Sequence, residues 1–437
     1  MENTKLTIKK ELPYEEKIKE LFKPFPKRLG LNTLRISRLL SKLGNPQNSI
    51  PPAIHVAGTN GKGSTIAFIQ AGLEAKGHKV HVFSSPHLID IRERIKIAGK
   101  KITPEYFDTL LSACIELNEN KNLSFFELLT AVAFLAFSQN KADWTILEVG
   151  LGGRLDSTNV IEKSELTIIT PISMDHEEFL GNTLRKITLE KAGILKPRSK
   201  VILAKQEKMA LKALKERAKI LDCTTITQNE DFKVEVMESS LLFSESKKTI
   251  FLPKPRLEGS HQVENAGVAI AALRELGCSA KYLGDAMQKV CWPGRLQKIW
   301  QGDLSPSTLG FEAELFIDGG HNPSAGNAIA NWIQKLNPST FFLILGMMKN
   351  KDLEGFLKPL RSSIHKLIAV KIPEEINAQE TETIVQTSNK LQIPSKSAIS
   401  IEMALHDIKS EHSILPKRIL ITGSLYLVGQ YLKQNSS

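Results

Sequence analysis

Residues 54–65, Ile-His-Val-Ala-Gly-Thr-Asn-Gly-Lys-Gly-Ser-Thr, decide the fold. The short apolar run 54–57 leads into a glycine-rich turn, helical spacing then continues to Lys76, and after Gly77 residues 79–84 read as another strand. This is a βαβ unit. Glycines in such a turn let backbone N–H groups approach an anion, the following helix N-terminus favours negative charge, and Lys62, read as a solvent-facing loop lysine, adds a point charge. The strict Walker spacing fails, because two residues rather than four separate Gly58 from Gly61 and Gly63 stands between Lys62 and Ser64. A plain βα turn is the bland alternative. The flanking strand and helix and the Gly-Lys pair favour a phosphate loop.

Upstream, residues 32–43 place Ile36, Leu39, Leu40 and Leu43 at helical spacing before Gly44-Asn45-Pro46. Downstream, helices are expected at Pro104–Asn118 and 126–140, with strands at 144–149 and 166–170. Short alternating segments between Cys223 and Pro253 predict small hairpins, and helices resume at Gln262. After a break over 294–310, strands at 315–318, 341–345, 367–370 and 419–422 alternate with helices. The expected fold is α/β. A mostly parallel P-loop-type ATPase domain, residues 1–297, precedes a smaller Rossmann-like α/β domain, residues 298–437.

The chain has 437 residues and a formal net charge of +11, with 41% hydrophobic and 24% charged residues, a balance that excludes disorder and fibre. Its basic excess is dispersed and only 6% of residues are aromatic, so a polyanionic small substrate explains the charge better than nucleic acid does. The four cysteines form no CxxC pair, which fits a reducing cytoplasm. No secretory signal is read in residues 1–17, and the longest apolar stretch, 128–137, falls well short of the roughly 20 residues that span a bilayer.

Candidate site residues gather at predicted strand ends. Glu148 closes an apolar strand, where a metal would offset the cost of burying a carboxylate; an outward turn or a pairing with Arg154 would do so equally. His176 follows the next strand on the same edge, where ligands of open α/β sheets bind, although a lone loop histidine is more often merely exposed. Lys191 shares an apolar helix face with Leu184, Ile187 and Leu195, as a snorkelling side chain or as one aimed into a site beside Glu148 and His176. In the second domain Asn322 can cap a helix begun by Pro323, displaying Asp318 and His321 at a strand tip, while Ser424 offers a hydroxyl at another. Each tip alone is no more than a capped turn. Together, opposite a phosphate loop, they suggest a substrate held in the cleft between domains.

In their order these motifs resemble the folylpolyglutamate synthase and dihydrofolate synthase family, itself similar to the Mur ligases. The match runs through Gly58–Ser64, Ser84-Ser85-Pro86-His87, Glu148 to Asp156, Glu190 to Gly193, His261-Gln262 with Asn265, Trp292 to Arg295 and Asp318 to Asn322. The resemblance implies an ATP-dependent ligase that turns a pteroate or folate carboxylate into an acyl phosphate for attack by the amine of glutamate. By the same resemblance Gly58, Thr59, Asn60, Gly61, Lys62, Gly63 and Ser64 would hold the ATP phosphates, with Asn265, Arg295 and Asp318 on adenine, phosphate and ribose. Ser85, Glu148, His176 and a carbamylated Lys191 would bind magnesium, as two ions. His321 and Ser424 would face glutamate, and the pterin would lie near Leu29, Phe126, Leu155 and Asp156. Lys62, Lys191 and His321 carry the implied catalysis.

Activity on both dihydropteroate and folates is expected, because Ser124-Phe125-Phe126-Glu127 and Leu155-Asp156 resemble the pterin pocket of bifunctional bacterial members. The expected partners are small molecules only, with neither nucleic acid nor membrane, and the expected state is a cytoplasmic monomer. Two departures stand out: Asn350 replaces the first Asp of an Asp-Lys-Asp run, and Gly320 replaces a usual Ala. The alternatives are a monofunctional folylpolyglutamate synthase, a Mur-type ligase, disfavoured by the roughly 50 residues before the loop, and a non-catalytic nucleotide-binding protein.

Overall fold

The strand β1 (Ala53–Ala57) is buried along its whole length at the centre of the first sheet. The computed structural model describes Tyr14, Ile18 and residues 30–119, 121–246, 248–336, 340–373 and 375–435. Around β1 stand β2 (Val80–Phe83), β3 (Ile95–Ile97), β4 (Lys100–Lys101), β5 (Trp144–Glu148), β6 (Leu166–Ile169), β7 (Lys200–Leu203) and β8 (Thr224–Thr227), in the order β4-β3-β2-β5-β1-β6-β7-β8. All pairings are parallel except β2 with β3 and β3 with β4. The parallel strands are nearly continuous apolar runs because helices cover both faces. The helix Lys62–Ala75 packs on one face through Ile66, Phe68, Ile69 and Leu73, and the helix Phe125–Gln139 covers the other through Leu129, Val132 and Phe134.

The expected hairpins form a separate antiparallel sheet of β9 (Phe232–Val236), β10 (Leu241–Glu245) and β11 (Lys248–Leu252). Phe232 and Phe243 stack at 5.6 Å and join the core around the helix Lys62–Ala75. A third sheet contains β12 (Gln297–Ile299), β13 (Glu314–Ile317), β14 (Thr340–Leu345), β15 (Lys366–Val370), β16 (Ser395–Ala398) and β17 (Lys417–Thr422), in the order β12-β13-β17-β14-β15-β16. It is parallel apart from β12. The carboxyl ends of β1, β5 and β6 look across a crevice at those of β13, β14 and β17, and segments following five of these six strands line one cavity. No helix among the described residues is long and apolar enough to cross a membrane.

Candidate active site

The turn after β1 is held by its neighbours as well as by its own glycines. Gly61 has φ +85°, and a Cβ there would lie 2.3 Å from Asn265 Oδ1, so the amide of the helix Ser260–Glu275 presses directly on the loop. Asn265 Nδ2 in turn donates to Gln262 Oε1 at 3.1 Å. Thr59 Oγ1 donates to Ser173 O and accepts from Ser173 N, each at 3.1 Å, which ties the loop to the segment after β6.

Lys62 departs from expectation. It is half-buried and folded back, its Nζ donating to Gly58 O and Thr59 O at 3.2 Å, and burial lowers its pKa. The cause is its position at the first turn of a helix packed into the sheet, where the stem turns back over the loop carbonyls. Lys191 is buried as the apolar face predicted, and its Nζ donates to Gly58 O at 2.9 Å. Burial, with Lys62 adding to it, lowers the pKa of Lys191 to about 7. Glu148 is 3% exposed at the end of β5, and its Oε2 accepts from Ser85 N at 3.0 Å. Burial raises its pKa against the opposing pull of Lys62 and the Ser85 N–H.

Asp175, in the segment after β6, is the hub of the contacts that cross the crevice. Its Oδ1 accepts from Lys351 Nζ at 2.7 Å and its Oδ2 from Asn322 Nδ2 at 3.2 Å, with His321 Nε2 3.9 Å away. Burial alone would raise its pKa, but His176, Lys351 and His321 together hold it well below the usual carboxylate range. His176 has left-handed φ of 53° and turns Nε2 to within 3.4 Å of Lys351 Nζ. Burial lowers the pKa of both His176 and His321 to about 4. His321 Nδ1 lies 2.9 Å from Gly319 O, and since a carbonyl only accepts, the neutral ring carries its proton on Nδ1 and leaves Nε2 bare. Asn322 caps the helix Pro323–Ile333 as predicted, and its amide also pairs reciprocally with that of Asn60 at 3.0 and 3.2 Å.

These elements enclose a cavity of about 480 Å³. It is lined by Ser85, Phe126, Leu155, Asp156, His176, His321 and Ser424 from the predicted set, with Gly30 and Leu31 beside them; Leu29 lies outside the described residues. Glu148, Lys62 and Lys191 gather around Gly58 and Ser85. Asp318 accepts from Leu296 N at 2.9 Å and Gly320 N at 2.7 Å, fixing the turn that carries His321, while Arg295 lies against Gly319. Ser424 Oγ caps the helix Leu425–Gln434 by accepting from Tyr426 N. The Asp156 carboxylate already accepts four bonds, from the N–H groups of Gly150, Leu151 and Thr158 and from the Thr158 hydroxyl, so it has no vacant lone pair for a ligand. No group of three His, Cys, Asp or Glu among the described residues converges as a metal cage.

Several cavity residues were given no role by the sequence reading. Arg35 donates to Glu127 through Nε at 3.0 Å and to Gly30 O through Nη2 at 2.7 Å, joining the Gly30 backbone to the capping box of Ser124 and Glu127. Arg94 is 8% exposed, donates to His87 Nδ1, and has its pKa lowered to about 10 by burial. Lys351 and Tyr426 complete the wall on the third-sheet side. The one available signal was the Lys351 run itself, noted for its Asn350.

Residues 56–273 match the family described as Mur ligase middle domain, and residues 304–434 match Dihydrofolate synthetase, C-terminal domain. Dihydrofolate synthetase of Saccharomyces cerevisiae is 32% identical over 94% of this chain and 98% of its own. The solved structure of E. coli FolC in complex with DHPP and ADP superposes with a TM-score of 0.86 at 26% identity, covering 96% of this chain and 97% of that one. A bifunctional folylpolyglutamate synthase/dihydrofolate synthase with Mn, AMPPNP and L-glutamate bound has a TM-score of 0.82 at 25% identity, over 93% of this chain and 94% of its own.

Proposed function

The chain belongs to the dihydrofolate synthase/folylpolyglutamate synthase family, and on that premise we propose that it is an ATP-dependent ligase joining L-glutamate to dihydropteroate and to the γ-carboxylate of folates. The reaction passes through an acyl phosphate and releases ADP and phosphate. The observation that carries this reading is the cavity beside the phosphate loop. Phe126, Leu151 and Leu155 offer an apolar wall for a flat heterocycle, while Arg35, Arg94 and Lys351 supply cations for carboxylates.

The phosphate loop and Lys62 hold the nucleotide phosphates, with Asn265, Arg295 and Asp318 around the remainder of the nucleotide. His321 presents its bare Nε2 to the incoming glutamate amine, accepting a hydrogen bond that aims the nitrogen lone pair at the acyl carbon. Ser424 stands on the same wall. The buried Glu148 carboxylate and the Ser85 hydroxyl are hard oxygen donors that suit magnesium, His176 lines the same cavity as Ser85, and a carbamate on Lys191 would add a further oxygen donor. Such ions neutralise charge during phosphoryl transfer. Lys191 suits the modification, since its low pKa leaves the neutral amine that combines with carbon dioxide, releasing a proton. Asp156 shapes the pterin wall through its own hydrogen bonds. The protein acts as a cytoplasmic monomer on small molecules.

Incubation with ATP, magnesium, glutamate and either dihydropteroate or tetrahydrofolate, followed by product mass measurement, tests the reading. One added glutamate on each pterin is expected. Extension of tetrahydrofolate alone would overturn the bifunctional assignment, and absence of both products would overturn the ligase.

A further inference from the structure

Three buried polar side chains run in line from the centre of the first sheet to the cavity wall. His55, in the middle of β1, is fully buried, and its Nε2 lies 2.8 Å from Thr158 Oγ1. Thr158, also fully buried, has Oγ1 2.6 Å from Asp156 Oδ1. The other oxygen of Asp156 accepts from Gly150 N at 3.0 Å and Leu151 N at 2.9 Å, and both of those residues line the cavity.

The polarity of this line follows from the chemistry of its ends. Burial raises the pKa of Asp156, but three backbone N–H groups and the Thr158 hydroxyl converge on it and favour the carboxylate, which only accepts, so the Thr158 hydroxyl proton points to Asp156 and the Thr158 oxygen accepts from His55. His55 is therefore the Nε2–H tautomer. Its Nδ1, the bare nitrogen of that tautomer, has no hydrogen-bond partner among the described residues. A histidine kept merely for packing would not leave an acceptor stranded in the core when an apolar residue could fill the space without that cost. The far end of the line is equally constrained. A Cβ on Gly150 would lie 2.5 Å from Phe126 Cζ, so the loop that Asp156 holds is in close contact with the aromatic wall of the cavity.

We propose that His55 is a positioning residue for the pterin end of the cavity. Its Nε2–H fixes the Thr158 hydroxyl toward Asp156, and Asp156 in turn sets where the Gly150-Leu151 backbone stands against Phe126. His55 touches no substrate. Its effect falls chiefly on the pterin end, because the Gly150-Leu151 backbone that Asp156 holds stands against Phe126 there.

This inference rests on the proposed function, and its test separates the two. His55→Leu and Thr158→Val each remove one link while keeping an apolar volume. Each should raise the KM for dihydropteroate roughly tenfold, with kcat and the KM for ATP and glutamate nearly unchanged. The double variant should be no worse than Thr158→Val alone, and His55→Gln, which restores an N–H donor, should recover most of the loss. Additive effects, or equal changes in all three KM values, would refute the line as a unit. Amide hydrogen exchange at Gly150 and Leu151 gives a readout independent of turnover: faster exchange in His55→Leu, reversed in His55→Gln, is expected. Unchanged exchange in His55→Leu would overturn the inference. A wild-type protein that makes no product from dihydropteroate would defeat the functional reading, while the exchange result would still decide the role of His55.

Discussion

Lys191 Nζ donates a 2.9 Å hydrogen bond to the carbonyl oxygen of Gly58, so a lysine on the helix Leu184–Ala192 reaches the first residue of the phosphate loop. An ammonium there stands beside Lys62, where the proposed reaction needs phosphates and a divalent cation. Lys191→Ala should reduce turnover by about a hundredfold or more while the far-ultraviolet circular dichroism stays native. Added acetate or formate should restore part of the activity by placing a carboxylate where the carbamate would sit. Full activity in Lys191→Ala would exclude any catalytic part for this side chain.

Lys62→Ala should lower ATP turnover by roughly two to three orders of magnitude. Its melting temperature should hold or rise slightly, because the variant removes a charge whose burial is costly. Calorimetry beside a phosphate-release assay checks both, and a large fall in melting temperature would show that the loop depends on Lys62 for its shape.

Lys351 and Asp175 pair with both side chains only 10% exposed. Lys351→Met should cost about 3 kcal/mol, since it strands a buried carboxylate. Asp175→Asn added to it should recover most of that loss by removing the stranded charge. Urea unfolding of the two variants measures this, and equal stability of the single and double variants would mean that the pair is solvated in solution.

Burial, with Lys196 adding to it, lowers the pKa of His55 from 6.5 to about 3. Between those values the unfolded chain binds the proton and the folded chain does not. The stabilising contribution of the neutral ring is therefore complete above about pH 6.5 and is lost as pH falls toward 3, by about 4 kcal/mol at the acid end. The urea midpoint should fall further between about pH 7 and pH 4.5 in the wild type than in His55→Gln, which cannot titrate there. Parallel losses in the two proteins would show that the ring is already accessible to protons.

The sequence revealed features whose cause is local. The loop from Gly58 to Ser64, the cap at Asn322 and the burial of Lys191 all follow from turn chemistry or helical period, and the structure contains each. Pairings made by distant segments left no such mark. Arg35 meets Glu127 across 92 residues and Lys351 meets Asp175 across 176. Read locally, Arg35 is one more cation on an amphipathic helix. The antiparallel edge β3 and β4 was also invisible, since Lys96, Lys100 and Lys101 interrupt the apolar pattern that marks a strand. The same is true of β16, whose Ser-Lys-Ser-Ala sequence suits a half-exposed edge.

The reciprocal amide pair of Asn60 and Asn322 places one residue of the nucleotide loop and one of the opposing sheet in a single hydrogen-bonded ring. A conformation that bound nucleotide imposes on Asn60 is thereby coupled to the position of the third sheet. Thermodynamic reciprocity gives this a converse: the factor by which nucleotide favours the closed crevice is the factor by which closure tightens nucleotide. By the same coupling, a ligand that favours closure from the His321 side would slow the escape of nucleotide without touching it.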